Sequence, residues 1–212
     1  MIRRFALVTV LLAATLSIVW SAIAAPQVLP RLRLAPGFGL HDPAGETVSS
    51  DSLRGSTLVV TFGPAQCDER CRAWGRTVAT ALPRDLSPEQ FQLVWIVTAP
   101  AAPADLAALE GQLPAAPLPW RVLGTDDARQ LELVLAGFRV PRVVSAAGSL
   151  PDPILIIVDP AGIVRAEYRV SPQSQVIAQD LAALKREIRE SRGLRRYLYE
   201  AAHLFSCNVG GL

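Results

Sequence analysis

The sequence is poor in the side chains that most often do chemistry: two histidines and three cysteines in 212 residues. No H-E-x-x-H, P-loop or G-x-S-x-G pattern occurs. With histidine so scarce, a Ser-His-Asp triad would have to recruit His41 or His203, and nothing around either points to one. Three cysteines are also too few to staple a chain of this length as a disulfide framework. A surplus of one charge is missing as well. Lysine and arginine number 21 against 19 acids, and the excess lies in Arg3 and Arg4 near the N-terminus. A body of balanced charge excludes nucleic acid as the expected partner, because neutralising phosphates needs extra cations. No internal repeat occurs, and the one compositionally biased tract is the Ala/Pro-rich stretch from Pro100 to Pro119.

Apolar residues are plentiful at 50%, enough for a sizeable core. The opening "MIRRFALVTVLLAATLSIVWSAIAAPQ" pairs two arginines with an apolar run and then small residues. It reads as a signal peptide cleaved after Ala22-Ile23-Ala24, or as a retained membrane anchor with Trp20 near the outer interface. Either reading puts the body in the periplasm or on the outer face of the inner membrane. The expected organisation is 1–25 signal or anchor, 26–36 proline-punctuated linker, 37–190 folded domain and 191–212 amphipathic tail.

Within the domain, "FGLHDPAGETVSSDSLRGS" predicts a hairpin around turn signals. "TLVVTFG" and "FQLVWIVT" are apolar without alternation, as strands buried on both faces are. Trp74, Val78 and Leu82 recur at helical spacing between them, and Pro83 ends the run. "PADLAALEGQL" and "DDARQLELVLAGF" predict helices on either side of a short strand, "WRVLGT". "ILIIVDPAGIVRAEYRV" predicts a hairpin and "SQVIAQDLAALKREIRE" a closing amphipathic helix. The order implies a mixed α/β sheet of thioredoxin-like type flanked by helices, with an added N-terminal β-hairpin.

Cys67 and Cys71 fall where the first buried strand gives way to a helix. Spacing and position suit a structural clip, a redox pair or two jaws for a soft metal alike. The helix N-terminus favours thiolate at Cys67, Arg70 and Arg72 add to this, and Asp68 and Glu69 oppose it. Outside the cytosol two such thiols oxidise unless kept reduced or metallated. Pro64 ahead of Cys67 also resembles a peroxidase nucleophile loop, though the threonine between them is missing.

"TFGPAQCDERC" resembles the strand and C-x-x-x-C loop of the Sco/SenC family, membrane-tethered thioredoxin-fold proteins that help assemble the copper centre of cytochrome c oxidase. "FGLHDPAGETVSSDSLRGSTLVVTFG", "WRVLGTDDARQLELVLAGFRV" and "ILIIVDPAGIVRAEYR" are similar to that family's opening hairpin, tryptophan-to-helix segment and penultimate hairpin. The resemblance implies dithiol–disulfide exchange or Cu(I) carriage by Cys67 and Cys71, with Cys67 as the exposed attacking thiolate and Cys71 resolving. It implies an oxidase copper-site subunit as partner, a thiol reductant to recharge the pair, and membrane attachment through the N-terminal segment. The chain departs from the family in three places. Asp68 and Arg72 stand where prolines are usual, "TAPAAPADL" replaces an aspartate-rich stretch, and "GSLPDPILIIVD" lacks the copper-binding histidine. Copper is thus an expected cargo without its usual imidazole. The competing reading is a binding module whose disulfide is permanent. His41 reads as a turn residue. "HLFSC" offers His203 and Cys207 at metal-compatible spacing, or simply a tail helix packed on the body or on the membrane surface by Leu194, Tyr197, Leu198, Ala201 and Phe205. The basic stretch from Lys185 to Arg196 reads as a solvated face or a lipid-headgroup contact.

Overall fold

The computed structural model describes residues 15, 28–141, 152–169, 173–191, 193 and 195–209, with side chains described through His203. Apart from Thr15, the expected signal or anchor lies outside the described residues, and so does the side chain of Cys207. Among the described residues no helix is long and apolar enough to cross a membrane. The chain divides into two compact units, Leu29–Leu184 and a second made of Met1–Val28 with Lys185–Leu212.

In the larger unit, β1 (Arg33–Leu34) is followed by the hairpin β2 (Gly39–His41) and β3 (Thr47–Ser49). Then come β4 (Thr57–Gly63), α1 (Glu69–Ala81), β5 (Phe91–Val97), α2 (Pro103–Glu110), β6 (Trp120–Leu123) and α3 (Ala128–Gly137). The hairpin β7 (Leu155–Val158) and β8 (Ile163–Tyr168) leads into α4 (Ser174–Glu190), which runs on into the second unit. Six strands form one sheet in the order β1-β8-β7-β4-β5-β6, with β2 and β3 apart as a pair. β4 is central, parallel to β5 and antiparallel to β7, and every residue in it is buried. That is why its sequence shows no polar alternation.

The two faces of β4 do different work. Leu58, Val60 and Phe62 point into an apolar cluster with Leu131, Val134, Leu135 and Phe138 around α3. The alternate residues face α1, where the Trp74 indole N–H donates to Thr61 Oγ1 at 2.7 Å in a buried setting. α3 begins at Asp127, whose carboxylate accepts from the backbone N–H groups of Arg129 and Gln130. The β7–β8 turn is held by Asp159, which accepts from the N–H groups of Ala161 and Ile163, and closes through Gly162 at φ +82°.

Two expectations change here. The linker expected over 26–36 contributes β1 to the sheet edge, pairing Arg33 with Val164 and Leu34 with Ile163. Just before it, the buried Arg165 guanidinium donates to the carbonyls of Leu29 (2.6 Å) and Pro30 (3.2 Å) and pairs with Asp159 (3.1 Å). The compact unit therefore starts at Leu29 rather than at 37. His41, expected in a turn, lies in β2, where its backbone bridges to Gly124.

Candidate functional site

Cys67 and Cys71 are joined by a disulfide, with Cα atoms 5.2 Å apart. They do not share a helix face. α1 starts at Glu69 with Asp68 as its N-cap, so Cys67 precedes the helix and Cys71 sits in its first turn. The Asp68 carboxylate accepts from the Cys71 backbone N–H at 2.8 Å. This satisfies one of the donors that a helix start leaves open. The Arg72 guanidinium reaches back to the Cys67 carbonyl at 2.9 Å. Asp68 and Arg72, which stand where the resemblance expects prolines, thus each hold one side of the loop. Glu69 pairs with Arg76 and Arg72. Its hydrogen bond from Arg76, then that from Arg72, hold its carboxyl below the usual carboxylate range.

The expected exposure of Cys67 is not found. Both cysteines are only 6% exposed. At that end of the loop Arg72 donates to the Cys67 carbonyl. The opening lies instead on the Cys71 side. A cavity of about 260 Å³ is lined by Cys71 together with Gly63, Pro64, Trp74, Trp95 and Pro153, with Asp68 and Arg70 as its charged members. Gly63 is what lets Trp95 form part of this wall, since a Cβ there would meet the indole at 2.2 Å. Trp95 in turn packs edge-on against Trp120, ring centres 5.8 Å apart. Trp74 was legible in the sequence only as a core residue. Gly63 and Trp95 carried no signal there for a role at the site. Asp68 was visible as an opposing charge but not as a cap.

Pro153 comes from the segment in which the family resemblance expects a histidine, so that segment presents a proline ring to the cavity. Among the described residues no group of three or more His, Cys, Asp or Glu is placed to hold a metal ion. His203 is engaged elsewhere. In the second unit, α5 (Arg195–Val209) packs its buried Tyr199 and His203 toward the end of α4. His203 Nε2 lies 2.9 Å from Glu187 Oε1, and the Tyr199 hydroxyl donates to Glu190 at 3.0 Å. Burial, then the bond to Glu190, raises the Tyr199 hydroxyl above its ordinary range.

No family model matches the chain, and no curated protein matches it in sequence. Solved structures do match. The copper-bound ScoI of Arabidopsis thaliana superposes with a TM-score of 0.63 at 15% identity, over 73% of this chain and 99% of its own. The Bacillus protein BsSco, described as a member of the Sco family of cytochrome c oxidase assembly proteins with a disulfide switch, gives 0.60 at 18%, over 75% and 98%. The fold is that of the Sco proteins. A thioredoxin domain of a thiol-disulfide oxidoreductase from Bacteroides vulgatus also matches, at 0.53 and 17% over 74% and 97%. A Sco-like thioredoxin fold accounts for the strand order.

Proposed function

We propose that this chain is an exported dithiol–disulfide reductase in the assembly of a copper centre, with Cys67 and Cys71 as its working pair. One observation carries the reading: the pair is bonded at a strand-to-helix junction, and Cys71 borders a cavity open to the outside. The Sco-like fold supports it, and the N-terminal segment supports export. The partner we infer is an oxidase copper-site subunit holding a disulfide between its own metal-binding cysteines.

In the reduced protein the Cys71 thiolate attacks one sulfur of the partner's disulfide. The partner's S–S bond breaks, a mixed disulfide forms, and the departing partner sulfur takes up a proton. Cys67, also as thiolate, then attacks the Cys71 sulfur. The Cys67–Cys71 bond forms, and the partner's remaining sulfur leaves and is protonated. Two electrons have passed to the partner, and a thiol reductant returns them. Exchange at Cys71 reverses the order implied by the family resemblance and follows from the side on which the cavity lies. The same two thiolates, once reduced, suit Cu(I) as a linear two-sulfur cargo. Without an imidazole they suit Cu(II) poorly.

Two experiments test this. The reduced full chain is incubated with a disulfide-bonded peptide that carries the two cysteines of an oxidase copper site, and released thiols are counted. The wild type should reduce it and a Cys67→Ser, Cys71→Ser double variant should not. Cys67→Ser alone should trap a mixed disulfide through Cys71, whereas trapping only by Cys71→Ser would restore Cys67 as the attacking group. An anaerobic Cu(I) titration of wild type and double variant decides the cargo. Equal affinities would remove the pair from copper binding.

A further inference from the structure

The helix α5 leaves its more apolar stripe uncovered. Tyr197 and Leu198 are 73% and 62% exposed, and Ala201, one turn on, is exposed too. The opposite side, Tyr199 and His203, is the buried one, tied to Glu190 and Glu187. The sequence reading packs Tyr197, Leu198 and Ala201 on the body or on the membrane surface, and their exposure leaves the second open. An aromatic and a leucine side by side in water cost free energy unless something covers them.

The charge around the stripe identifies the cover. Arg195 and Arg196 immediately precede Tyr197, and both are exposed. Arg186 and Arg189, near the end of α4 in the same unit, are exposed as well. From Lys185 to the C-terminus the sequence has six basic residues and three acidic ones. Of the acids, Glu187 is buried against His203, Glu190 is shared by Arg189, Arg195 and Tyr199, and Glu200 is half-buried on α5. Among the described residues of that stretch the exposed ones, Gly193 apart, are arginines, Tyr197, Leu198 and Ala201. An apolar protein surface would not select the arginines, and an acidic soluble partner would not select Tyr197 and Leu198. Anionic headgroups above acyl chains satisfy both, with tyrosine at the depth where its ring and hydroxyl are each accommodated.

We infer that α5 is a lipid-contacting helix, which lays Tyr197 and Leu198 into the surface of an anionic bilayer under the guidance of Arg195 and Arg196. This contact is independent of the cysteine pair and additional to any attachment through the N-terminal segment. It would hold the unit at the membrane surface even in a chain whose N-terminal segment has been removed.

The test uses the full chain, so its readout is the environment of α5 rather than binding as such. A nitroxide is placed at position 198 through Leu198→Cys in a Cys207→Ser background, with Cys67–Cys71 left oxidised and unlabelled. Collisions with oxygen and with a water-soluble nickel chelate are measured on vesicles of phosphatidylcholine alone and of phosphatidylcholine with phosphatidylglycerol. On the anionic vesicles, oxygen access should rise and nickel access fall. Both changes should vanish near 1 M salt, where screening shortens to about 3 Å. Arg195→Gln with Arg196→Gln should weaken the shift, each lost cation lowering surface partitioning about fivefold. Equal access on both vesicle types, in a protein whose circular dichroism is native, overturns the inference. So does a nitroxide shielded without vesicles in a concentration-dependent way, which would mean that a second copy covers the stripe.

Discussion

Asp68 and Gly63 do the local work that keeps the cysteine pair in place. Asp68 caps α1 through the Cys71 N–H, so Asp68→Ala should cost about 1 kcal/mol of stability, read as a lower denaturant midpoint at unchanged slope. Asp68→Asn should retain most of that, since an amide oxygen can still accept. Gly63→Ala drives a Cβ into the Trp95 ring. It should cost about 1–3 kcal/mol and slow reduction of the disulfide by small thiols, because the wall beside Cys71 must shift. A third prediction concerns Tyr168, whose hydroxyl bonds the Asp180 carboxylate. Burial first, then that carboxylate, push its ionisation well above the ordinary 10.0. A raised folded-state value means stability that is intact below pH 10 and lost as pH climbs beyond it, because only the unfolded chain then releases the proton. Tyr168→Phe should flatten the alkaline limb of the stability curve. An unchanged limb would mean that Tyr168 does not control it.

Secondary elements differ in how far the sequence announces them. β4 and β5 were legible because burial on both faces leaves an unbroken apolar run. α3 was legible from the aspartate pair, Asp126 or Asp127 as cap, ahead of apolar residues at helical spacing. β1 was not, since two residues at a sheet edge carry no periodicity and the prolines around them read as spacer. Its place depends on Arg165, distant in sequence, which binds the carbonyls of Leu29 and Pro30. A chain trimmed to begin at Gly37 should therefore lose about 3 kcal/mol or more, since hydrogen bonds to a charged donor are each worth about 1.5–3 kcal/mol. A trimmed chain matching the longer one in urea would show those contacts to be idle. α5 was found, but which of its sides is buried was not. Its apolar stripe is stronger on the Tyr197 side, yet hydrogen bonding by Tyr199 and His203 to acids on α4 decides which side is buried. Polar pairing of that kind leaves no mark in a hydrophobic pattern.

Taken whole, the molecule joins a Sco-like sheet to a smaller basic unit. The location of the cysteine pair was legible from the strand-to-helix change in the sequence. The direction of access to it was not, because the cavity is assembled from Trp74, Trp95 and Pro153, which only the fold brings together. The burial of both sulfurs makes the distinction between a working bond and a permanent clip the question on which the functional reading rests. The most direct measurement is the equilibrium of the Cys67–Cys71 bond in the full chain against defined ratios of reduced and oxidised glutathione, followed by mass after acid quench and thiol alkylation. For a pair that exchanges electrons with partners, the reduction potential should lie above about −300 mV, with both thiols appearing together as the buffer becomes reducing. A potential well below that value, the bond surviving in the most reducing buffers, would mark it as a permanent clip and contradict a reductase role.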